Sequence, residues 1–231
     1  MNNDAEINPV ADQEEKAIPL NKALVILAAV TGALILAGLV IGYAFFWGKY
    51  QRQSYPDVVF EAAKQRVKAN PNDAIAHLEL GYAYLLRQEV DKGLKEYKRA
   101  YTLDPKNRQV RYNLALGYIA NKQYSEAVKL LQPLAKEGIF DFDSHYSLGE
   151  AYYLNKQYPE AVKAFSEAVS IRPGYANAYY YIALSYKEMG DKQNAVAAAD
   201  KALRLVPNYK EVLELKAQLT GQPAGGDRRE P

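Results

Sequence analysis

Few residues of this chain could carry out catalysis or bind a metal. The chain has two histidines, His77 and His145, and no cysteine. Without cysteine there is no disulfide, thiolate metal site or thiol nucleophile. The histidines lie two 34-residue intervals apart without accompanying ligands, and no Ser/His/Asp set or glycine-rich phosphate loop has suitable spacing. We therefore predict no enzymatic activity, no metal site and no cofactor.

Tyrosine offers a different chemistry, that of protein recognition. The chain has 20 tyrosines, most of them after residue 80. A tyrosine ring gives a large contact area with a polar tip, so tyrosine recurs at protein interfaces. The formal net charge is only +2, whereas nucleic-acid binding usually shows a strongly basic surface. The composition favours protein partners and gives no indication of nucleic acid.

The tyrosines belong to a unit that repeats every 34 residues. The seventh position of the unit is apolar and the eighth is small. The eleventh is tyrosine and the twentieth is small. These positions hold Leu80, Leu114, Leu148 and Ile182; Gly81, Ala115, Gly149 and Ala183; Tyr84, Tyr118, Tyr152 and Tyr186; and Gly93, Ala127, Ala161 and Ala195.

Each unit predicts two antiparallel helices. Positions 7 and 11 share a helix face, and the small residues at 8 and 20 let two helices cross closely. Proline at position 32, as in Pro105, Pro173 and Pro207, ends the second helix. One unit cannot bury its apolar surface alone, so the units must stack into a solenoid.

This pattern resembles the tetratricopeptide repeat (TPR) family. The resemblance implies an all-α fold, a right-handed α-solenoid of four helix pairs with flanking helices. The units are TPR 1 over 74–107, TPR 2 over 108–141, TPR 3 over 142–175 and TPR 4 over 176–209.

Two units depart from the family pattern. TPR 2 has Leu134 and Ile139 where a small residue and proline are expected, so we expect an altered turn over 136–142. TPR 4 has Ala199 where TPR 1 and TPR 3 have Tyr97 and Phe165, so its second helix should be packed more lightly.

The segments around the array complete the predicted layout. Residues 57–73 form a half-repeat helix, and residues 210–219 form a capping helix that covers the apolar end of the solenoid. The remaining segments are a disordered N-terminal tail over 1–22, an apolar helix over 23–47, a connector over 48–56 and a disordered tail over 220–231.

Residues 23–47 contain no charged residue, and about 20 helical residues cross a bilayer. The run is too long for a cleaved signal peptide and ends in Phe45, Phe46 and Trp47 instead of small residues. We therefore expect one transmembrane helix and contact with the lipid bilayer. Gly38 and Gly42 form a small-xxx-small pair that could support a homodimer, although such pairs also arise by chance.

The resemblance also implies a concave peptide-binding groove lined by the first helix of each unit. The alternative for these side chains is packing of helix against helix. The predicted groove residues are Leu78, Tyr82, Leu85, Tyr112, Asn113, Leu116, Ile119, Tyr146, Glu150, Tyr153, Asn177, Tyr180, Leu184 and Lys187.

One ligand class of the family is disfavoured. Members that bind acidic C-terminal tails hold the carboxylate with Lys, Asn and Arg, of which only Asn113 matches here. An acidic tail would instead meet Asp143 and Glu150 without a countercharge. We expect apolar or amphipathic ligands.

The sequence thus predicts a membrane-anchored scaffold that binds peptide or helical segments of partner proteins. The alternative is a holdase or biogenesis factor for exported or membrane proteins. Positive residues are nearly balanced across the apolar run, with Lys16 and Lys22 before it and Lys49 and Arg52 after it. We expect an extracytoplasmic repeat domain because short N-terminal tails more often stay inside.

Overall fold

The computed structural model describes residues 20–43, 54–138 and 141–221, which fold into α-helices without any β-strand. The chain divides into two units, 1–53 and 54–231. The helices are α1 (Leu20–Gly42), α2 (Tyr55–Ala69), α3 (Ala74–Leu86), α4 (Val90–Leu103), α5 (Arg108–Ala120), α6 (Tyr124–Glu137), α7 (Phe142–Leu154), α8 (Tyr158–Ile171), α9 (Ala176–Glu188), α10 (Lys192–Leu205) and α11 (Lys210–Thr220).

The first unit contains α1, which covers most of the predicted span 23–47; residues 44–47 of that span lie outside the described residues. No helix within the described ranges has both the length and the apolar character needed to cross a membrane. The expected transmembrane helix is therefore not confirmed.

Several predicted segments lie outside the described residues. These are residues 1–19 of the N-terminal tail, 44–53 with the end of the apolar run and most of the connector, and 222–231 of the C-terminal tail. Ile139 and Phe140, within the turn expected to be altered, also lie outside them.

The second unit is an all-helical solenoid. The helices α3, α5, α7 and α9 begin at the first residues of the four repeats. Each helix from α2 to α11 packs against the next one, and the first helix of each repeat also contacts the first helix of the following repeat. Stacking of equivalent helices is the arrangement by which repeats bury the apolar ends of their neighbours.

Local signals set the helix ends. Side chains at four N-termini accept hydrogen bonds from free backbone N–H groups: Ser54 from Asp57, Asp73 from Ile75, Asn107 from Gln109 and Val110, and Asp191 from Asn194. Each of these bonds satisfies a donor that the helix itself leaves unpaired.

The turn inside each repeat has a backbone feature that the sequence pattern did not reveal. Gln88, Lys122 and Lys156 have φ values of 62°, 61° and 61°, and Gly190 takes the same place in TPR 4 with φ 77°. Only glycine adopts this left-handed region without a steric cost, so three repeats keep a strained residue there.

The residues that depart from the repeat pattern and the capping helix both contribute to the buried core. Leu134 in TPR 2 and Ala199 in TPR 4 are both fully buried. The α11 helix buries Val212 and Leu215 against the end of the array, and Lys216 pairs with Asp200 of α10 at 2.6 Å. This helix therefore covers apolar surface at the C-terminal end, as a cap does.

Candidate peptide-binding groove

The predicted groove residues lie on α3, α5, α7 and α9 and differ in exposure. Tyr82 is 49% exposed, whereas Leu78 is only 5% exposed and belongs to a buried cluster with Leu94 and Tyr97. The other predicted residues are partly buried. The set therefore combines side chains that a ligand could contact with side chains that already pack within the protein.

A cavity of about 490 Å³ is lined by residues of α2, α3 and α5. It brings together three predicted residues, Leu78, Tyr82 and Asn113. Val58 and Val59 of α2 also line it, and the sequence did not predict their part in the groove. The two valines are adjacent in the segment that the sequence predicts to be a half-repeat helix, and they are the signal in the sequence for this apolar surface.

A cluster of aromatic rings from α7, α8, α9 and the turn before α9 lies in TPR 3 and TPR 4. The ring of Tyr146 lies 5.2 Å from that of Tyr175, 5.5 Å from that of Phe165 and 6.2 Å from that of Tyr181. Such spacings suit edge-to-face aromatic contacts. Tyr146 therefore contributes to packing between the two repeats as much as to any ligand surface.

A short hydrogen-bond chain fixes the same region. Asn177 Nδ2 donates to the Tyr146 hydroxyl at 2.5 Å, and the Tyr209 hydroxyl donates to Asn177 Oδ1 at 2.6 Å. Burial raises the pKa of the Tyr146 phenol above its usual range. Two predicted residues, Tyr146 and Asn177, are thus brought together, but they bind each other.

Tyr153 and Tyr180 lie at the edge of this cluster. The ring of Tyr153 is 5.5 Å from that of Tyr181 and 5.8 Å from that of Tyr158, and the ring of Tyr180 is 5.6 Å from that of Tyr209. The sequence did not single out Tyr181, although it belongs to the tyrosine run 179–181. Its ring stacks on Phe165 at 5.1 Å.

Glu150 is the one acidic residue of the predicted groove set. Its side chain is partly buried, and burial raises the pKa of its carboxyl. Burial raises the pKa values of the Tyr112, Tyr146 and Tyr181 phenols, and the charge of Glu150 adds a smaller contribution to each. The carboxylate therefore lies among aromatic side chains of three groove helices.

Replacing Glu150 with glutamine is expected to raise the melting temperature at about pH 7 by about 2–4 °C and to leave it nearly unchanged at about pH 4. The pKa of the Glu150 carboxyl is higher in the folded chain than its unfolded value of 4.5. The contribution of this group to stability is therefore fully present below the unfolded pKa and is lost as the pH rises through the folded pKa. Glutamine keeps the shape without the charge. Thermal unfolding followed by circular dichroism at both pH values checks this, and equal shifts would contradict it.

The histidines have structural surroundings. His77 Nδ1 lies 2.7 Å from Glu96 Oε2, and His77 Nε2 lies 3.0 Å from the Pro71 carbonyl oxygen. His77 thus joins the turn before α3 to α4. His145 has a buried Nε2 without a partner among the described residues. Within those residues, no group of His, Asp and Glu side chains could hold a metal ion.

Family models match two parts of the chain. A tetratricopeptide repeat model matches residues 61–108 and 112–176. A model described as regulator of microtubule dynamics protein 1-3 matches residues 151–222. No curated protein matches the chain by sequence.

Solved structures share the fold. MamA AMB-1 is 29% identical over 65% of this chain and 89% of its own, with a TM-score of 0.61. MamA from Desulfovibrio magneticus RS-1 is 18% identical over 73% of this chain and 95% of its own, with a TM-score of 0.63. YrrB, described as a TPR protein with an unusual peptide-binding site, is 19% identical over 70% of this chain and 83% of its own, with a TM-score of 0.62.

These neighbours agree with the all-helical repeat architecture of residues 54–221. Proteins with this fold are typically scaffolds for binding other proteins without enzymatic activity, and a scaffold is consistent with the groove described above. Together, the family model and the structural neighbours support the tetratricopeptide repeat family for the repeat domain of this chain.

Proposed function

We propose that the chain is a scaffold that binds peptide segments of partner proteins along the face formed by α3, α5, α7 and α9. One observation carries this proposal: Tyr82, a large aromatic side chain, is half exposed beside the 490 Å³ cavity. Binding sites are typically concave and mostly apolar, with a few polar groups that set orientation. Val58, Val59 and Leu78 supply the apolar wall here, and Asn113 supplies a polar amide.

YrrB is described as having an unusual peptide-binding site, but at 19% identity its likeness covers the fold alone. The proposal for this chain therefore rests on its own groove residues.

Replacing Tyr82 with alanine is expected to weaken partner binding by about 5- to 30-fold, the effect of losing one aromatic anchor. Stability should change by less than about 0.5 kcal/mol, because half of the side chain is already exposed. The matched control is Tyr55→Ala, which removes the same side chain from an exposed place outside the cavity lining. A large loss of stability in Tyr82→Ala would show that this ring is a packing residue.

Photo-crosslinking in cells identifies the partner. A photoreactive residue at Tyr82 or Tyr153 should capture specific partners, and one at the exposed Glu167 on α8 should not. Equal capture from all three positions would contradict a groove. Capture of many unrelated proteins from the groove positions alone would favour the holdase alternative.

Membrane anchoring through residues 23–47 is part of the same proposal and is supported by the sequence alone, as is an extracytoplasmic repeat domain. The uncharged run and its aromatic end favour it. Extraction of the membrane fraction with alkaline carbonate tests the anchor. Release of the full chain into the supernatant would contradict it, and protease protection in intact cells tests the side.

A further inference from the structure

Two carboxylates on the inner helix α7 have no partner among the described residues. Asp143 is exposed, and Glu150 is partly buried. Neither forms a hydrogen bond or an ion pair with the described part of the chain, and burial alone accounts for the altered titration of Glu150. A partly buried carboxylate without a countercharge is unfavourable, so these positions are open to an external cation.

The neighbouring basic side chains are already engaged. Arg108 of α5 pairs with Asp141 and also donates to the Leu134 carbonyl oxygen at 3.2 Å. Arg111 of α5 forms a bidentate ion pair with Glu137, with N–O distances of 2.7 and 2.8 Å. Lys187 of α9 donates to Gln218 at 3.1 Å. None of these three cations forms an ion pair with Asp143 or Glu150, although Arg108 lines the same surface pocket as Asp143.

Three tyrosines of the groove helices lie near Glu150. Burial raises the pKa values of the Tyr112, Tyr146 and Tyr181 phenols, and the charge of Glu150 raises them further. The ring of Tyr181 is 6.2 Å from that of Tyr146 and 5.5 Å from that of Tyr153. A lysine or arginine side chain could lay its apolar stem on these rings and bring its charged end to the carboxylate. An acidic or purely apolar side chain would leave Glu150 unpaired.

The spacing of the two carboxylates restricts the ligand further. Asp143 and Glu150 are seven residues apart on one helix, which places them on the same face about 10.5 Å apart along the axis. A peptide in the polyproline II conformation has three residues per turn, so side chains three residues apart share one face and lie about 9 Å apart. A helical peptide covers about 10.5 Å in seven residues.

We propose that the α7 part of the groove binds a basic peptide segment, with Glu150 and Asp143 as counterions for two lysine or arginine side chains about 10 Å apart. This proposal rests on the proposed function and names the class of ligand. The partner is a protein that presents a basic stretch with its cations three residues apart in the polyproline II conformation or seven apart when helical.

The test is selection of a displayed library of random twelve-residue peptides on the immobilised full chain. Selected peptides should be rich in Lys and Arg at the stated spacing. Their affinity should fall about tenfold or more in the double variant Glu150→Gln with Asp143→Asn, and it should weaken with salt. The matched control is Glu167→Gln with Glu160→Gln, which removes two exposed carboxylates of α8 and should leave affinity unchanged. The helical signal of each variant shows that it is folded.

The other outcomes separate the two proposals. Peptides that require Tyr82 but show no basic enrichment, or that bind the double variant as well as the wild type, would overturn the basic-ligand proposal and leave the groove standing. Failure to recover any peptide that depends on Tyr82 or Glu150 would overturn both.

Two other possible occupants of the α7 site would give different experimental results. Stronger peptide capture by a chain that ends at Gly221 would assign the site to Arg228 and Arg229 of this chain. Self-association that Glu150→Gln abolishes would assign it to a second copy. Either result would overturn a partner peptide as the occupant.

Discussion

Replacing Gly149 with leucine is expected to lower the free energy of unfolding of the repeat array by about 3 kcal/mol, the upper end of typical overpacking. A Cβ atom at Gly149 would lie 2.8 Å from Cγ, Cδ1 and Cε1 of Phe165. The Phe165 ring is fully buried, stacks on Tyr181 at 5.1 Å and meets the edge of Tyr146 at 5.5 Å. Because these rings hold Phe165 on its other sides, it cannot move aside cheaply.

The matched control is Gly174→Leu. A Cβ atom there meets nothing within 4 Å, so the same added side chain should cost little. Urea unfolding followed by circular dichroism compares the two variants through their midpoints. Equal midpoints for both leucine variants would show that the contact between α7 and α8 is not tightly packed.

The contact at Gly149 shows how far the sequence predicts the core. The repeat pattern predicted close helix crossing at positions 8 and 20, but not that an aromatic ring at position 24 lies over the glycine at position 8. The structure pairs Gly81 with Tyr97 and Gly149 with Phe165. The repeats with alanine at position 8 have Leu131 and Ala199 at position 24. Glycine at position 8 thus occurs with an aromatic residue at position 24, and alanine at position 8 occurs with a smaller residue at position 24.

TPR 4 combines two small residues at these positions. Ala183 at position 8 and Ala199 at position 24 are both fully buried. Together they have less volume than the glycine and the aromatic ring of TPR 1 and TPR 3. That the second helix of TPR 4 is packed more lightly stays a prediction.

The groove was less predictable than the core. Helix periodicity places Tyr146 and Tyr82 on equivalent faces, but it does not say what the next repeat brings to that face. Tyr175 and Asn177 contact Tyr146, whereas Tyr82 stays half exposed. The apolar contribution of α2 was missed for the same reason, since Val58 and Val59 lie outside the repeat register.

Replacing Tyr97 with alanine is expected to destabilise the array by about 3–5 kcal/mol, the usual cost of removing a large buried ring. Tyr97 is 1% exposed on α4. Its ring fills the space beside both Gly81 on α3 and Gly117 on α5, where an added Cβ atom would lie 2.6 Å away in each case. One side chain thus joins TPR 1 to TPR 2. Tyr97→Phe, which keeps the ring, is the control and should retain most of the stability.

The contact between Tyr97 and Gly117 allows a stricter test. Replacing Gly117 with alanine should destabilise the wild type but stabilise the Tyr97→Ala variant. In the wild type, Gly117→Ala forces a methyl group against the Tyr97 ring and should destabilise the array by about 1–3 kcal/mol. In the Tyr97→Ala background the ring is gone, and alanine in a helix interior is favoured over glycine by about 1 kcal/mol. Gly117→Ala should then stabilise the chain. Urea midpoints of the four proteins give the coupling energy. Additive effects would mean that the ring of Tyr97 does not occupy the space beside Gly117, and that the link between the first two repeats lies in other contacts of α4 with α5.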